Sequence, residues 1–315
     1  MFEGRGARRL KILLTGKAGQ LGWELVRTLA PLGELTAVDR HGLDLTDSAA
    51  IASAVRQLRP NLIVNTAAYT AVDRAQTESA TAHAVNATAP EILAREARAL
   101  GAVLVHFSTD YVFDGKQSGP YEETDVCAPA SVYGQTKLAG EEAIVASGAA
   151  HLVLRTSWVY AARGSNFLLT MLRLARSKPE LAVVADQFGA PTWARMIAEA
   201  TALILARCGT TPRAILDALG QHGGIYHLSA AGRTSWHGFA EAIMREAGLA
   251  IPVRAITTTD YPLPAPRPAN SVLANGKLAK QFGVALPGWE IGVRQCVEEL
   301  ALRDSQHAAA GAASR

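Results

Sequence analysis

Leu10-Lys11-Ile12-Leu13-Leu14-Thr15 runs directly into Gly16-Lys17-Ala18-Gly19-Gln20-Leu21-Gly22, after which Trp23, Leu25, Val26 and Leu29 recur at helical spacing. The first six residues read as a buried strand and the last segment as an amphipathic helix. The glycines between them fit G-x-x-G-x-x-G. Such glycines let the backbone turn tightly and approach a pyrophosphate, which rests on the amides of the helix N-terminus. A glycine-rich turn without a ligand has the same letters, so the rest of the chain must decide between the two.

Outward from this stretch, strands and helices alternate. Glu34 to Asp39 reads as a second strand ending on an acid, 23 residues after Gly16, about where a dinucleotide fold places its ribose-binding carboxylate. Arg40 follows, and could equally face a 2′-phosphate, so NADH and NADPH both stay open. Asp44-Leu45-Thr46-Asp47 opens a helix to about Arg59. Asn61 to Ala68 is apolar along most of its length, as a parallel strand covered on both faces should be, and Ala67 and Ala68 before Tyr69 leave room for a nucleotide. Ala102 to Phe107 is a further strand, ending in Ser108-Thr109-Asp110, and His151 to Trp158 another. This rhythm predicts an α/β fold, a Rossmann-type doubly wound parallel sheet with ligands beyond the carboxyl ends of its strands.

Past Trp158 the alternation breaks. Residues 1–158 are expected to form an NAD(P)-binding domain to which 192–228 returns. Segments 159–191 and 229–302 form a smaller C-terminal substrate-binding lobe, and 303–315 a disordered tail. The proline-rich run Tyr261 to Pro268 suits neither helix nor central strand.

Composition excludes several classes. The chain has 315 residues, 49% hydrophobic, with a net charge of +3 from scattered Lys and Arg, so no nucleic-acid surface stands out. Cys127, Cys208 and Cys296 lack metal-ligand spacing and suit a reducing cytoplasm. The apolar run after the basic N-terminus ends at Thr15, too early for a secretory signal, and no stretch approaches the ~20 apolar residues of a membrane span. A soluble cytoplasmic protein is expected.

Chemistry enters with Ser131-Val132-Tyr133-Gly134-Gln135-Thr136-Lys137. Four residues apart on a helix, the phenol of Tyr133 and the ammonium of Lys137 share a face. A nearby cation favours a phenolate and draws its pKa toward the working range. The pair suits carbonyl–alcohol interconversion with a hydride source, although Tyr and Lys meet at this spacing on many inert helices. Thr109, at the rim where the strands end, is placed to hydrogen-bond the reacting oxygen.

Gly16–Gly22, Ser108-Thr109-Asp110 and Tyr133/Lys137 in this order resemble the extended short-chain dehydrogenase/reductase superfamily. Ser108-Thr109-Asp110-Tyr111-Val112-Phe113, Val132 to Glu141, Arg155 to Tyr160, Asp186 to Thr192 and Arg267 to Ser271 make the chain similar to the dTDP-4-dehydrorhamnose reductase family from about Leu10 to Leu300. The resemblance implies reduction of the C4 keto group of a nucleotide sugar by NADPH or NADH. Tyr133 is then the proton donor, Lys137 holds the nicotinamide ribose and tunes Tyr133, and Thr109 orients the keto group. It further implies that Gly16, Gly19, Gln20, Leu21 and Gly22 cradle the pyrophosphate, Asp39 and Arg40 lie near the adenosine ribose, and Asp44, Leu45, Ala67, Ala68 and Tyr69 flank the adenine. Asp110 and Trp158 face the sugar, and Asn166 and Arg267 its nucleotide end.

Some members of the family are dimers clamped by a metal such as magnesium between glutamates of both chains. Glu24 and Glu299 match two of those positions, but Arg195 stands where the third acid is expected, and a cation there repels a divalent ion. No metal site is therefore assigned, and the chain is expected as a monomer or homodimer. Two alternatives stay open. One is a reductase or epimerase of another nucleotide 4-keto-6-deoxysugar, a 4,6-dehydratase being disfavoured because dehydratases carry Glu where Tyr111 stands. The other is a non-catalytic partner protein similar to the regulatory subunit of methionine adenosyltransferase.

Overall fold

The computed structural model describes residues 9–313; residues 1–8, with the basic N-terminal stretch, and residues 314–315 lie outside it. Strand β1 (Leu10–Thr15) leads through the glycine-rich turn into α1 (Gln20–Leu29), then β2 (Gly33–Val38), α2 (Ser48–Leu58) and β3 (Leu62–Asn65). Short helices α3 (Val72–Ala75) and α4 (Ser79–His83) and a π-helical turn at Ala84–Thr88 precede α5 (Ala89–Leu100). Next come β4 (Val103–Thr109), α6 (Val132–Ser147) and β5 (Ala150–Thr156). Five further pieces follow: β6 (Val159–Tyr160), α7 (Phe167–Ala175), β7 (Leu181–Val184), β8 (Phe188–Gly189) and β9 (Thr192–Trp193). Helices α8 (Ala194–Cys208) and α9 (Pro212–His222) bring the chain to β10 (Gly224–His227). The remainder is β11 (Thr234–Ser235), α10 (Trp236–Glu246), β12 (Val253–Ile256), α11 (Gly276–Phe282) and α12 (Trp289–Ala313).

The main sheet has the order β2-β1-β3-β4-β5-β10, and every pairing is parallel. Residues alternate in direction along each strand, so the sheet buries two apolar layers. Leu14, Val64, Val105 and Leu154 face Leu25 and Leu29 of α1 and Ile197 and Ile204 of α8. Leu13, Ile63, Leu104 and Val153 face Ile51 and Val55 of α2, Leu93 of α5 and Ile144 of α6. The order reverses between β1 and β3, which opens a crevice beyond their carboxyl ends. The turns after β1 and β3 border that crevice.

A separate apolar cluster joins Tyr160, Leu168, Met171, Val183, Trp193, Phe239, Ile243, Trp289 and Val293. Its small sheets pair β7 with β12 and β6 with β9 in parallel, and β8 with β11 antiparallel. This lobe includes the segment 186–192, which reads as a loop from its sequence and which contains two short strands. Two expectations are corrected. The helix expected from Asp44 starts at Ser48, because Asp47 caps it by accepting from the amides of Ala49 (3.0 Å) and Ala50 (2.9 Å). The tail expected from residue 303 is helical to Ala313, a continuation of α12.

Among the described residues no helix is long and apolar enough to cross a membrane.

Candidate active site

The glycine-rich turn is built for close approach. Gly16 has φ +79°, and a Cβ on Gly22 would sit 2.0 Å from the Gly16 carbonyl oxygen. The Thr66 hydroxyl donates to the Thr15 carbonyl (2.7 Å), tying this turn to the end of β3. Gly19 caps α1 without a side-chain bond, and the first intrahelical bond runs from the Trp23 amide to the Gly19 carbonyl (3.0 Å). Helix geometry therefore leaves the amides of Gln20 and Leu21 directed past the helix end, where the dipole favours an anion. A pyrophosphate fits this cradle.

At the end of β2, Asp39 accepts from the amides of His41 (3.1 Å) and Gly42 (3.2 Å), and its other oxygen lies 3.6 Å from Lys17 Nζ. The Gly42 amide above all holds its carboxyl below the usual aspartate range. Arg40 is exposed and reaches toward Asp44. Asp44 itself accepts from the amide and hydroxyl of Thr46, both at 2.9 Å. The Leu45 side chain belongs to the apolar layer with Ile51 and Val55, so only its backbone is available to a nucleotide. Ala67, Ala68 and Tyr69 follow β3. The Tyr69 amide donates to Asn86 Oδ1 (2.8 Å), while its phenol turns outward to Glu78 (2.6 Å).

Helix α6 carries Tyr133 and Lys137. Ser131 caps it, its hydroxyl accepting from the Gly134 amide at 3.2 Å. Tyr133 meets Tyr111 edge to face at 5.6 Å, beside Thr109 and Asp110 at the end of β4. Burial pushes the Tyr133 phenol up to about 12, with the Thr109 hydroxyl acting the other way. The expected lowering by Lys137 is not found. The Lys137 ammonium instead turns to β4, where it donates to the Phe107 carbonyl (2.7 Å) and lies 3.0 Å from His106 Nε2. Burial pulls Lys137 down to about 8, opposed by Glu141, so the amine titrates near the working range.

Asp110 is fully enclosed. It accepts from the hydroxyls of Thr109 (3.0 Å) and Ser157 (3.0 Å), and burial raises its carboxyl to about 6. Trp158 holds a left-handed φ of +48°, uncommon off glycine and concentrated at functional sites. Its indole stacks on Trp236 at 3.6 Å and presses on Gly189, where a Cβ would come within 2.4 Å. One face of the indole is thus closed to a sugar. Arg267 binds Asp73 (2.8 Å) and acts electrostatically on the neighbouring Tyr111. Asn166 has its amide engaged already: it caps α7 and donates to Gln20 Oε1 (2.8 Å), joining the lobe to the glycine-rich turn.

Several residues that the motifs did not single out shape the site. Asn86, in the π-helical turn, bonds both Tyr69 backbone groups and the Thr136 hydroxyl. Thr15, Asn65 and His106 form a buried polar row behind Lys137. The available signal was polarity inside otherwise apolar central strands, at Asn65 and His106.

Arg195 joins Glu24 (3.2 Å) to Glu299 (2.9 Å), the two glutamates matched to the metal-clamped dimer. Among the described residues no group of three or more His, Cys, Asp or Glu is placed to hold a metal ion.

A parallel sheet with a glycine-rich turn at its switch point, and a Tyr/Lys helix beside it, defines a nicotinamide-dependent oxidoreductase of the short-chain dehydrogenase/reductase class. Residues 10–302 match the family model described as the RmlD substrate binding domain. The chain is 48% identical over 299 residues to a dTDP-4-dehydrorhamnose reductase from Burkholderia thailandensis, covering 92% of this chain and 99% of that one. It is also 48% identical to the enzyme of that name from Escherichia coli, over 92% and 98% of the two chains. A solved dTDP-4-dehydrorhamnose reductase from Bacillus anthracis, in complex with NADP, superposes with a TM-score of 0.84 at 32% identity, covering 93% of this chain and 99% of that one. The chain belongs to the dTDP-4-dehydrorhamnose reductase family.

Proposed function

We propose that the chain reduces the C4 keto group of dTDP-4-dehydro-L-rhamnose to the alcohol of dTDP-L-rhamnose. What supports this reading is Tyr133 beside Thr109 at the carboxyl end of β4, with Lys137 of the same helix bonded to that strand. When bound, a reduced nicotinamide supplies the hydride. Tyr133, whose high pKa keeps it protonated at neutral pH, gives its proton to the oxygen that gains charge. Thr109, held by the Tyr111 amide, turns its one hydroxyl hydrogen from Asp110 to that oxygen and so positions it. The lobe residues 159–191 and 229–302 hold the nucleotide sugar and exclude water, which strengthens these polar contacts.

Lys17 and Arg40 flank an Asp39 carboxylate already bonded to two amides, which favours the 2′-phosphate of NADPH over NADH. A dehydratase reading needs a carboxylic acid where Tyr111 stands, and burial raises that phenol far above neutrality. Three free cysteines suit the reducing cytoplasm. With Arg195 taking the cation's place between Glu24 and Glu299, the enzyme works as a monomer or as a homodimer without a metal bridge.

The test is NAD(P)H oxidation at 340 nm with the keto sugar nucleotide, wild type beside Tyr133→Phe, each with both cofactors. Wild-type turnover with a loss of roughly 10²-fold or more in the variant is expected for removal of a general acid. Equal rates in the two proteins would refute Tyr133 as the donor. A folded, cofactor-binding wild type without turnover would favour another 4-keto sugar nucleotide first, and then the partner-protein alternative.

A further inference from the structure

His106 lies in the middle of β4, every residue of which is buried, and its side chain is wholly enclosed. Both ring nitrogens have partners. Nε2 is 3.0 Å from Lys137 Nζ, and Nδ1 is 3.0 Å from the Asn65 side-chain amide. As placed, the Asn65 NH2 group faces Nδ1 and its carbonyl oxygen accepts from the Thr15 hydroxyl (2.6 Å). The row Thr15–Asn65–His106–Lys137 thus crosses three adjacent strands, β1, β3 and β4, and ends on the lysine of the Tyr133 helix.

The chemistry of the row fixes its direction. A lysine ammonium carries three donors and no acceptor. While Lys137 is charged, His106 Nε2 must accept, so Nδ1 carries the ring hydrogen and donates to the Asn65 carbonyl oxygen. The Asn65 amide then points its NH2 group at the Thr15 oxygen. This reverses the amide as placed, whose NH2 group faces Nδ1 and whose oxygen accepts from Thr15; the two ends are equal in shape, so turning the amide over and rotating the Thr15 hydroxyl needs no movement of neighbours. His106 cannot become charged beside the ammonium, because burial and Lys137 both hold it well below its ordinary value.

We infer that His106 is a positioning residue for Lys137, held by Asn65 and Thr15 in the neutral Nδ1–H form as a fixed acceptor. With Nε2 and the Phe107 carbonyl each binding one ammonium hydrogen, a single donor remains, and the other two bonds fix its direction. A lysine free to rotate would hold that direction only part of the time. This inference rests on the reductase reading for its effect on turnover, but not for the tautomer itself.

The charges around Lys137 leave room for this effect to be read. Glu141, one turn along α6, is bonded to Arg155 of β5 (2.6 Å). Asp110, in the turn after β4, acts on Tyr133. Asp73 of α3, Glu78 just before α4 and Glu96 of α5 pair with Arg267, Arg74 and Arg56. Loss of the His106 acceptor disfavours the charged amine, so its pKa falls.

The experiment compares wild type, His106→Leu and His106→Gln. Gln carries a carbonyl oxygen near the Nε2 position and rescues the acceptor. In His106→Leu the basic limb of the kcat profile should move down by roughly one pH unit, the scale of one charge-assisted hydrogen bond. Its NADPH affinity, measured by fluorescence titration, should weaken, with KM for the sugar nucleotide little changed. His106→Gln should restore both. Nitrogen-15 NMR of labelled histidine should report Nδ1–H for His106 in the wild type. An Nε2–H tautomer, or a His106→Leu enzyme with unshifted limb and cofactor affinity, overturns the proposal. A wild type that turns over no keto sugar contradicts the reductase reading instead, and the NMR tautomer and NADPH titration still decide this one. If His106→Leu does not fold, the tautomer and the His106→Gln profile decide.

Discussion

Asp110 sits 2% exposed among hydroxyl groups rather than cations, and burial raises its carboxyl from the ordinary aspartate 3.8 to about 6. Between those two pH values the folded chain binds more protons than the unfolded one, so this group lowers stability as pH rises through the window. The penalty is absent below about pH 4 and complete above about pH 6, where it amounts to about 3 kcal/mol. Asp110→Asn keeps the shape and removes the charge, and the surrounding hydroxyls can rotate to accept from the new amide. The variant should melt higher than wild type above pH 6, with the difference closing below pH 4, by thermal unfolding across pH. A constant difference at all pH values would show that the carboxyl group is not the titrating source. At this scale the sequence is legible where a motif names a residue. Tyr133 neighbours Thr109, Thr109 bonds Asp110, and Lys137 bonds the same strand at Phe107. It is poorly legible where a side chain chooses between several partners. Asp39 turns to its own backbone, Asn166 to Gln20 and a helix cap, and Lys137 to His106, and none of these choices leaves a trace in residue spacing.

At the scale of elements, α6 matters most, because its first turn carries Tyr133, the proposed proton donor. Ser131 holds that turn by accepting from the Gly134 amide. Asp47 does the same for α2, far from the chemistry, by accepting from Ala49 and Ala50. Replacing either cap by alanine costs about 1 kcal/mol of stability. Ser131→Ala should lose kcat several-fold beyond any change in KM, whereas Asp47→Ala should lower the melting temperature similarly and leave kcat alone. Equal effects on kcat would mean that Ser131 acts only through stability. The strands and long helices are legible from hydrophobic period, because the parallel sheet is covered on both faces and leaves nearly unbroken apolar runs. The start of α2 is not. Asp44 and Asp47 are both plausible caps by residue type, and only the position of Ile51 and Val55 against the sheet decides for Asp47.

At the scale of the molecule, two apolar clusters flank the sheet and a third forms the lobe, and the Asn166–Gln20 bond and the Arg195 bridge cross between them. The sheet is foreseeable as a class, because strands alternating with helices make a parallel doubly wound sheet. The lobe is foreseeable only as a break in rhythm: its strands are two to four residues long, too short to show a period, and they pair across distant parts of the chain. The central claim for the whole is that a hydride passes from the cofactor to C4 of the sugar while Tyr133 supplies the proton. The most direct measurement uses NADPH deuterated on the transferring face of the nicotinamide C4, with proton and deuterium NMR of the sugar nucleotide formed. The account predicts one deuterium at C4 of the hexose for each cofactor oxidised. Deuterium at another carbon, or a changed sugar with the cofactor still reduced and its label intact, would contradict it.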